Sequence, residues 1–161
     1  MAIKFTIDKH HVCFPTKVLS ERVGRVLNMV IESDTDNGTV VGKGDYVHFD
    51  QYKIATAPVG FEGKILEKAA NGNWYVEVMK VDINAPAILI YEVPEITENY
   101  NAKFTAVSNF YNAATSGRTK TVRGFVLTTT DVYELSEDAF EGTPEAGKKV
   151  TINGQKHKVE A

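Results

Sequence analysis

The stretch from Gly63 to Val81, "GKILEKAANGNWYVEVMKV", decides the fold class, because it has the pattern of two β-strands joined by a tight turn. The runs "GKILEKA" and "WYVEVMKV" flank Asn71-Gly72-Asn73. Asn and Gly tolerate the positive φ angles that short hairpin turns require. The stretch therefore predicts a β-hairpin.

The same strand and turn signals recur on both sides of this hairpin. Toward the C-terminus, "KKVTINGQKHKVE" predicts another hairpin over Asn153-Gly154. The segment "AILIYEVP" predicts a largely buried strand that Pro94 ends. Further on, "VRGFVLTTTDVYELS" predicts a pair of strands or one long bent strand. Toward the N-terminus, "IKFTI" alternates apolar and polar residues, and residues 25–31 are rich in β-compatible side chains.

An acidic segment, "ESDTDNGTVVGKGDYVHFD" (residues 32–50), raises the question of a calcium loop. An EF-hand loop needs oxygen ligands at positions one, three and five, Gly at six and Glu at twelve. Neither the frame with Gly38 at position six nor the frame that starts at Asp34 supplies that set. The Asn37-Gly38 pair instead predicts a type I′ turn of a hairpin between the strand over 25–31 and the following "TVV".

These signals together predict an all-β protein, built from hairpins as one or two small barrels or sandwiches, with little helix. The segment 96–117 fits either a helix or extended structure, and its Asn content favours extended structure. We predict an N-terminal β domain over 1–94, with an N-terminal arm, and a C-terminal β subdomain over 95–161. A single domain is the alternative.

Composition excludes several classes of protein. The net charge of −3 supplies no global basic field that would attract nucleic acid. The single cysteine, Cys13, has no partner for an internal disulfide. The N-terminal segment has no apolar run of signal-peptide length, and no run is long enough to span a membrane. We expect a soluble protein that is made in a cytoplasm.

Side chains that could carry chemistry form no complete set. His10, His11 and Cys13 lack the second ligand pair of a zinc site, and no base is identified for Cys13 as a nucleophile. The acidic stretch from Asp131 to Glu145 is more typical of a solvated face than of a catalytic pair. We predict no enzymatic activity and no catalytic, cofactor or metal site.

Basic side chains cluster near residues 118–123 and 148–158, with aromatic residues close to the first cluster. Basic groups and stacking rings are the parts of a surface that binds single-stranded nucleic acid. The acidic stretch between the two clusters would repel phosphate. The basic and aromatic residues make the binding of single-stranded nucleic acid an alternative function. The acidic stretch disfavours nucleic acid as a partner.

Two segments resemble a known class of protein. Residues 109–140, "NFYNAATSGRTKTVRGFVLTTTDVYELSEDAF", and residues 34–52, "DTDNGTVVGKGDYVHFDQY", resemble small virion proteins of tailed bacteriophages, of the head decoration or auxiliary capsid type. The resemblance implies a structural protein of the virion that binds the major capsid protein or other virion proteins and stabilises the head. It implies many copies per particle, with a homo-oligomer as an alternative arrangement. It implies no catalytic residues. A head–tail connector, tail or fibre-base component is the alternative position.

Candidate contact residues follow from this hypothesis. The N-terminal strand would pair with the edge of a partner's sheet. Exposed aromatic and Arg side chains are enriched at protein interfaces. The predicted contacts are Ile3, Phe5, Ile7, Phe104, Phe110, Tyr111, Arg118 and Arg123.

Overall fold

A computed structural model describes residues 11–92, 98–99, 103–104, 110–111 and 120–161, and it confirms the all-β class. Helical structure in this part of the chain is limited to α1 (Ser20–Val23) and one 3-10 turn (Glu137–Ala139). The strands are β1 (Cys13–Lys17), β2 (Val26–Ile31), β3 (Thr35–Asp36), β4 (Val40–Tyr46), β5 (Gln51–Ile54), β6 (Phe61–Lys68), β7 (Trp74–Val81), β8 (Ala87–Tyr91), β9 (Glu98–Asn99), β10 (Lys103–Phe104), β11 (Phe110–Tyr111), β12 (Lys120–Val126), β13 (Val132–Leu135), β14 (Phe140–Glu141), β15 (Lys149–Asn153) and β16 (Lys156–Val159).

Two larger sheets organise these strands. Five strands close into a barrel in the order β12-β2-β5-β4-β8, with β12 and β8 paired to complete the ring. Within the barrel β2 and β5 run parallel, and the other pairs are antiparallel. Seven strands form an open sheet in the order β1-β13-β7-β6-β15-β16-β14. The short pairs β9–β10 and β3–β11 stand apart from both.

The two hairpins predicted from Asn-Gly turns are confirmed. Strands β6 and β7 are antiparallel neighbours, and Gly72 between them has a φ of 91°. Strands β15 and β16 pair in the same way, with Gly154 at a φ of 60°. In both cases the turn and its flanking strands are contiguous in sequence, so local chemistry is enough to specify the pairing.

The hairpin predicted at Asn37-Gly38 is wrong, because β5 lies between β2 and β4 in the barrel. The pair forms a buried turn in which Gly38 has a φ of 85°, and Asn37 does not share the positive φ that a type I′ turn requires. The Asn37 side chain instead continues the hydrogen bonding of β8. Its Nδ2 donates to the Glu92 carbonyl at 2.8 Å, and its Oδ1 accepts from the Glu92 N–H at 3.0 Å.

The segment predicted as a strand pair or one bent strand contains two strands in different sheets: β12 belongs to the barrel and β13 to the open sheet. Asp131 holds the chain where it crosses between them. Its buried carboxylate accepts the N–H of Thr128 at 2.8 Å and the N–H of Leu19 at 2.9 Å. These bonds satisfy backbone donors that neither sheet reaches.

Two packed clusters form the core. One fills the barrel, with Met29, Ile31, Ile88, Ile90, Val122 and Val126. The other lies between the barrel and the open sheet and includes Leu89, Phe125, Ile65, Val76 and Leu135. Strand β8 contributes to both clusters, because alternate residues point to opposite faces. This explains why "AILIY" is apolar throughout, and it confirms the buried strand predicted there.

Strand pairing also bears on the predicted division at residue 94. The barrel joins β12 to β2 and β8, and the open sheet joins β13 to β7 and β15 to β6. Each sheet therefore takes strands from both sides of residue 94, and the division into 1–94 and 95–161 stays a prediction.

Candidate functional site

The predicted contact residues lie in different parts of the chain, and half of them lie outside the described residues. Ile3, Phe5, Ile7 and Arg118 lie outside the described residues. Phe104, Phe110 and Tyr111 are placed only as backbone positions in β10 and β11. Arg123 is exposed on β12, where its neighbours across the strands are Asn28 and Tyr91. The proposed aromatic and Arg patch stays a prediction.

His11 and Cys13 are buried within the fold, and His10 lies outside the described residues. Cys13 is 2% exposed in the core, and burial raises the pKa of its thiol well above the ordinary range. His11 is also buried, with its Nδ1 3.5 Å from an Asp36 carboxylate oxygen. Within the part of the chain that the structure describes, no three His, Cys, Asp or Glu side chains are grouped to hold a metal ion.

The acidic stretch contains side chains with different roles. Asp131 is buried and structural, as described above. Glu134 accepts hydrogen bonds from the side-chain amides of Asn71 at 2.6 Å and Asn73 at 3.0 Å. This carboxylate therefore ties β13 to the β6–β7 turn. Glu137, Asp138, Glu141 and Glu145 are exposed, in agreement with the expectation of a solvated face for that part of the stretch.

The most conspicuous exposed feature of the described surface is a group of rings at the β4–β5 connection. We call this group, the exposed Tyr46, His48 and Phe49 together with the half-buried Tyr52, the aromatic loop. The Phe49 side chain is 81% exposed and Tyr46 is 56% exposed. Large apolar side chains normally lose such exposure on folding, since burying a Phe is favourable by about 1.5–3 kcal/mol.

The backbone of the aromatic loop is strained at its tip. Phe49 and Asp50 have φ angles of 53° and 56°, and the Gln51 N–H donates to the His48 carbonyl at 3.1 Å. Positive φ at both central positions is the requirement of a type I′ turn, which normally has Asn-Gly there. A bulky residue in the left-handed region costs about 1–2 kcal/mol. The turn thus holds Phe49 in a backbone conformation that is unfavourable for a phenylalanine.

Neighbouring side chains support this turn. The Tyr46 and Tyr52 rings meet edge to face with centroids 5.5 Å apart, and His48 and Phe49 do the same at 4.8 Å. The Asp50 N–H donates to the Tyr46 hydroxyl at 3.4 Å. The Val47 N–H donates to the Gln51 carbonyl at 2.8 Å. The exposed rings are therefore held in place by the hairpin and by one another.

A β-bulge sets the direction of the hairpin. The β4–β5 register shifts between the pairs Lys43–Ile54 and Tyr46–Tyr52. Gly44 lies inside the shift, where a Cβ atom would approach the Lys53 carbonyl oxygen to 2.6 Å. Bulges bend a strand and re-aim its side chains. Gly44 therefore permits the bend that precedes the aromatic loop.

The aromatic loop is not among the sites predicted from the sequence. The available signal was "YVHFDQY", with four ring side chains in seven residues. This segment has no Gly or Asn at the turn, so a tight hairpin with Phe at its tip is not the pattern that turn statistics favour.

Nothing helical in the described part of the chain has the length and apolar character needed to cross a membrane. Comparisons with protein-family models, curated proteins and solved structures found no match.

Proposed function

We propose that this chain is a structural protein of a tailed-bacteriophage virion that binds the major capsid protein from outside and stabilises the head. The observation that carries the proposal is the aromatic loop. Three of its rings, Tyr46, His48 and Phe49, are exposed at the end of two strands of a closed barrel. The loop lies within residues 34–52, one of the two segments that resemble such proteins. Aromatic side chains are enriched at protein interfaces.

The architecture suits a role in a repetitive shell. Stable pairwise protein interfaces bury at least ~1,000 Å² in total. A small module held in many copies on a lattice needs less from each contact, since linked weak contacts act together.

Sedimentation with empty heads of the phage that encodes this chain tests the proposal. The purified chain is centrifuged alone and with heads, and the bound amount is measured against added protein. We expect co-sedimentation that saturates at a fixed copy number of hundreds per particle. Saturation at about a dozen copies would instead favour a head–tail connector or tail component, and a chain that stays in the supernatant would contradict the proposal.

Arg123 provides a test of the predicted patch. Its side chain is exposed on the barrel, so replacing it with Glu should leave the free energy of unfolding within about 0.5 kcal/mol of wild type. We expect Arg123→Glu to lower head occupancy roughly tenfold at a subsaturating concentration, because charge reversal opposes a complementary surface. Lys80→Glu, on an exposed position of β7, is the matched control. Equal occupancy of the two variants on heads would contradict the prediction that Arg123 is a contact residue.

A further inference from the structure

The conformation of Phe49 is not explained by the stability of the fold. The side chain is 81% exposed, and its φ of 53° is one that Asn or Gly adopts more readily. An Asn at this position would close the same turn with less strain and a polar surface. Strained residues that the surrounding structure holds in place are concentrated at functional positions such as active sites, ligand clamps and switch regions. This turn therefore presents Phe49 to something outside the chain.

The charges around the loop indicate what kind of surface Phe49 meets. The hairpin from residue 43 to 53 carries two Lys and two Asp, so it has no net charge apart from His48. The Lys43 Nζ lies 4.1 Å from the centroid of the Tyr52 ring, and the Lys53 Nζ lies 3.5 Å from a Glu32 carboxylate oxygen. Both cations already have partners within the chain.

This balance disfavours two classes of partner. Binding to nucleic acid relies on Lys and Arg that neutralise phosphates. Peripheral binding to anionic lipid likewise relies on basic residues beside the apolar side chains. A protein surface with an apolar pocket needs neither. An aromatic anchor surrounded by a polar rim is the usual composition of a protein–protein hot spot.

We infer that Phe49 is the anchor of the aromatic loop and inserts into an apolar pocket on a partner protein, with Tyr46 packing at the rim. The inference rests on the proposed function, which makes that partner the capsid subunit. To that function it adds the residue that makes the main contact, Phe49, and the apolar character of the pocket that receives Phe49.

The test compares Phe49→Asn with Ile83→Asn. Ile83 is a matched control, because it is 88% exposed and its backbone φ is not positive. We expect Phe49→Asn to weaken binding to empty heads at least about tenfold. Relief of backbone strain should at the same time raise its thermal midpoint by a few degrees. We expect Ile83→Asn to leave both measurements unchanged.

A fluorescent side chain reports on the pocket directly. The chain has a single tryptophan, the half-buried Trp74, so a Phe49→Trp variant adds an exposed reporter over a known baseline. We expect its additional emission to shift to shorter wavelength when heads are added. We expect no shift with anionic lipid vesicles, with a single-stranded oligonucleotide, or on raising the protein concentration.

The outcomes separate this inference from the proposed function. If wild type sediments with heads and Phe49→Asn does so equally well, the anchor is wrong and the head-binding function stands. If wild type fails to sediment with heads, the proposed function fails, and the capsid pocket fails with it. A blue shift in the added emission of the Phe49→Trp variant with vesicles, oligonucleotide or self-association, in the absence of heads, would overturn the protein pocket in favour of that ligand.

Discussion

Replacing Gly38 with alanine is expected to lower the free energy of unfolding by about 2–5 kcal/mol, since two penalties coincide there. Gly38 has a φ of 85°, which costs an L-residue about 1–2 kcal/mol. A Cβ atom at this position would also approach Leu135 Cδ2 to 2.5 Å and Cys13 Cβ to 3.2 Å. Leu135 is fully buried, so its side chain has little room to move.

Gly72 separates the two penalties. It has a similar φ of 91°, but a Cβ atom there would meet nothing within 4 Å. Gly72→Ala should therefore lower the free energy of unfolding only by the cost of the positive φ, about 1–2 kcal/mol. Denaturant unfolding of wild type and both variants measures the difference. Equal destabilisation of the two variants would show that the core around Gly38 accommodates the methyl group and is packed less tightly than described.

Gly38 also shows how far local sequence signals reach. Asn71-Gly72 and Asn153-Gly154 are turns whose two strands adjoin them in sequence, and both hairpins were predicted correctly. Asn37-Gly38 carries the same dipeptide but packs against Cys13, Leu135 and the end of β8. A dipeptide can specify a turn, but it does not specify which strands flank that turn.

Long-range pairing was beyond the reach of the sequence patterns. The barrel closes because β12 pairs with β2 and β8, which lie far before it in the sequence. Alternation of apolar and polar residues identifies a strand and its buried face, but it does not indicate which other strand pairs with it. Asp131 is a further example: its position in an acidic stretch suggested solvent, and its two backbone hydrogen bonds are visible only once β12 and β13 are placed in different sheets.

The candidate site was missed for a related reason. Turn prediction depends on residues that relieve strain, and the tip of the aromatic loop has Phe49 and Asp50 where Asn-Gly is usual. The local preference and the observed conformation disagree at this point. Such disagreements are expected at functional positions, where selection for a contact outweighs local preference. The fold class follows from the pattern of the whole chain, but this exception appears only in the backbone angles.

His157 gives the second large prediction, a loss of stability in mild acid. The residue lies on β16 with no exposed surface, and Phe61, Tyr133 and Phe140 pack around its ring. Its Nε2 is 2.6 Å from the Tyr133 hydroxyl, and its Nδ1 makes no hydrogen bond with any described residue. Burial, and secondarily the neighbouring His11, lower the pKa of His157 from 6.5 to about 3.

The direction of the effect follows from proton binding. Between pH 6.5 and 3 the unfolded chain binds a proton at His157 that the folded chain excludes, so stability rises with pH across this window. The stabilisation that comes from keeping His157 neutral is complete above pH 6.5 and is lost as the pH falls toward 3. The expected slope is about 1.4 kcal/mol per pH unit for one proton. Lowering the pH from neutral to about 4 should thus remove a few kcal/mol through this residue alone.

Urea unfolding at several pH values between about 7.5 and 4 measures this slope, and two variants isolate the source. His157→Gln removes the buried imidazole and its packing against the rings of Phe61, Tyr133 and Phe140, so it should be less stable than wild type at neutral pH. Its stability should depend less steeply on pH, because the proton-binding group is gone. His48→Gln, at an exposed position on the aromatic loop, should keep the wild-type slope. The three proteins have the same Asp and Glu residues, so a difference between their slopes of stability against pH is assigned to the substituted histidine. If wild type and His157→Gln have the same slope, His157 takes up its proton without unfolding the chain, and the buried neutral imidazole is contradicted.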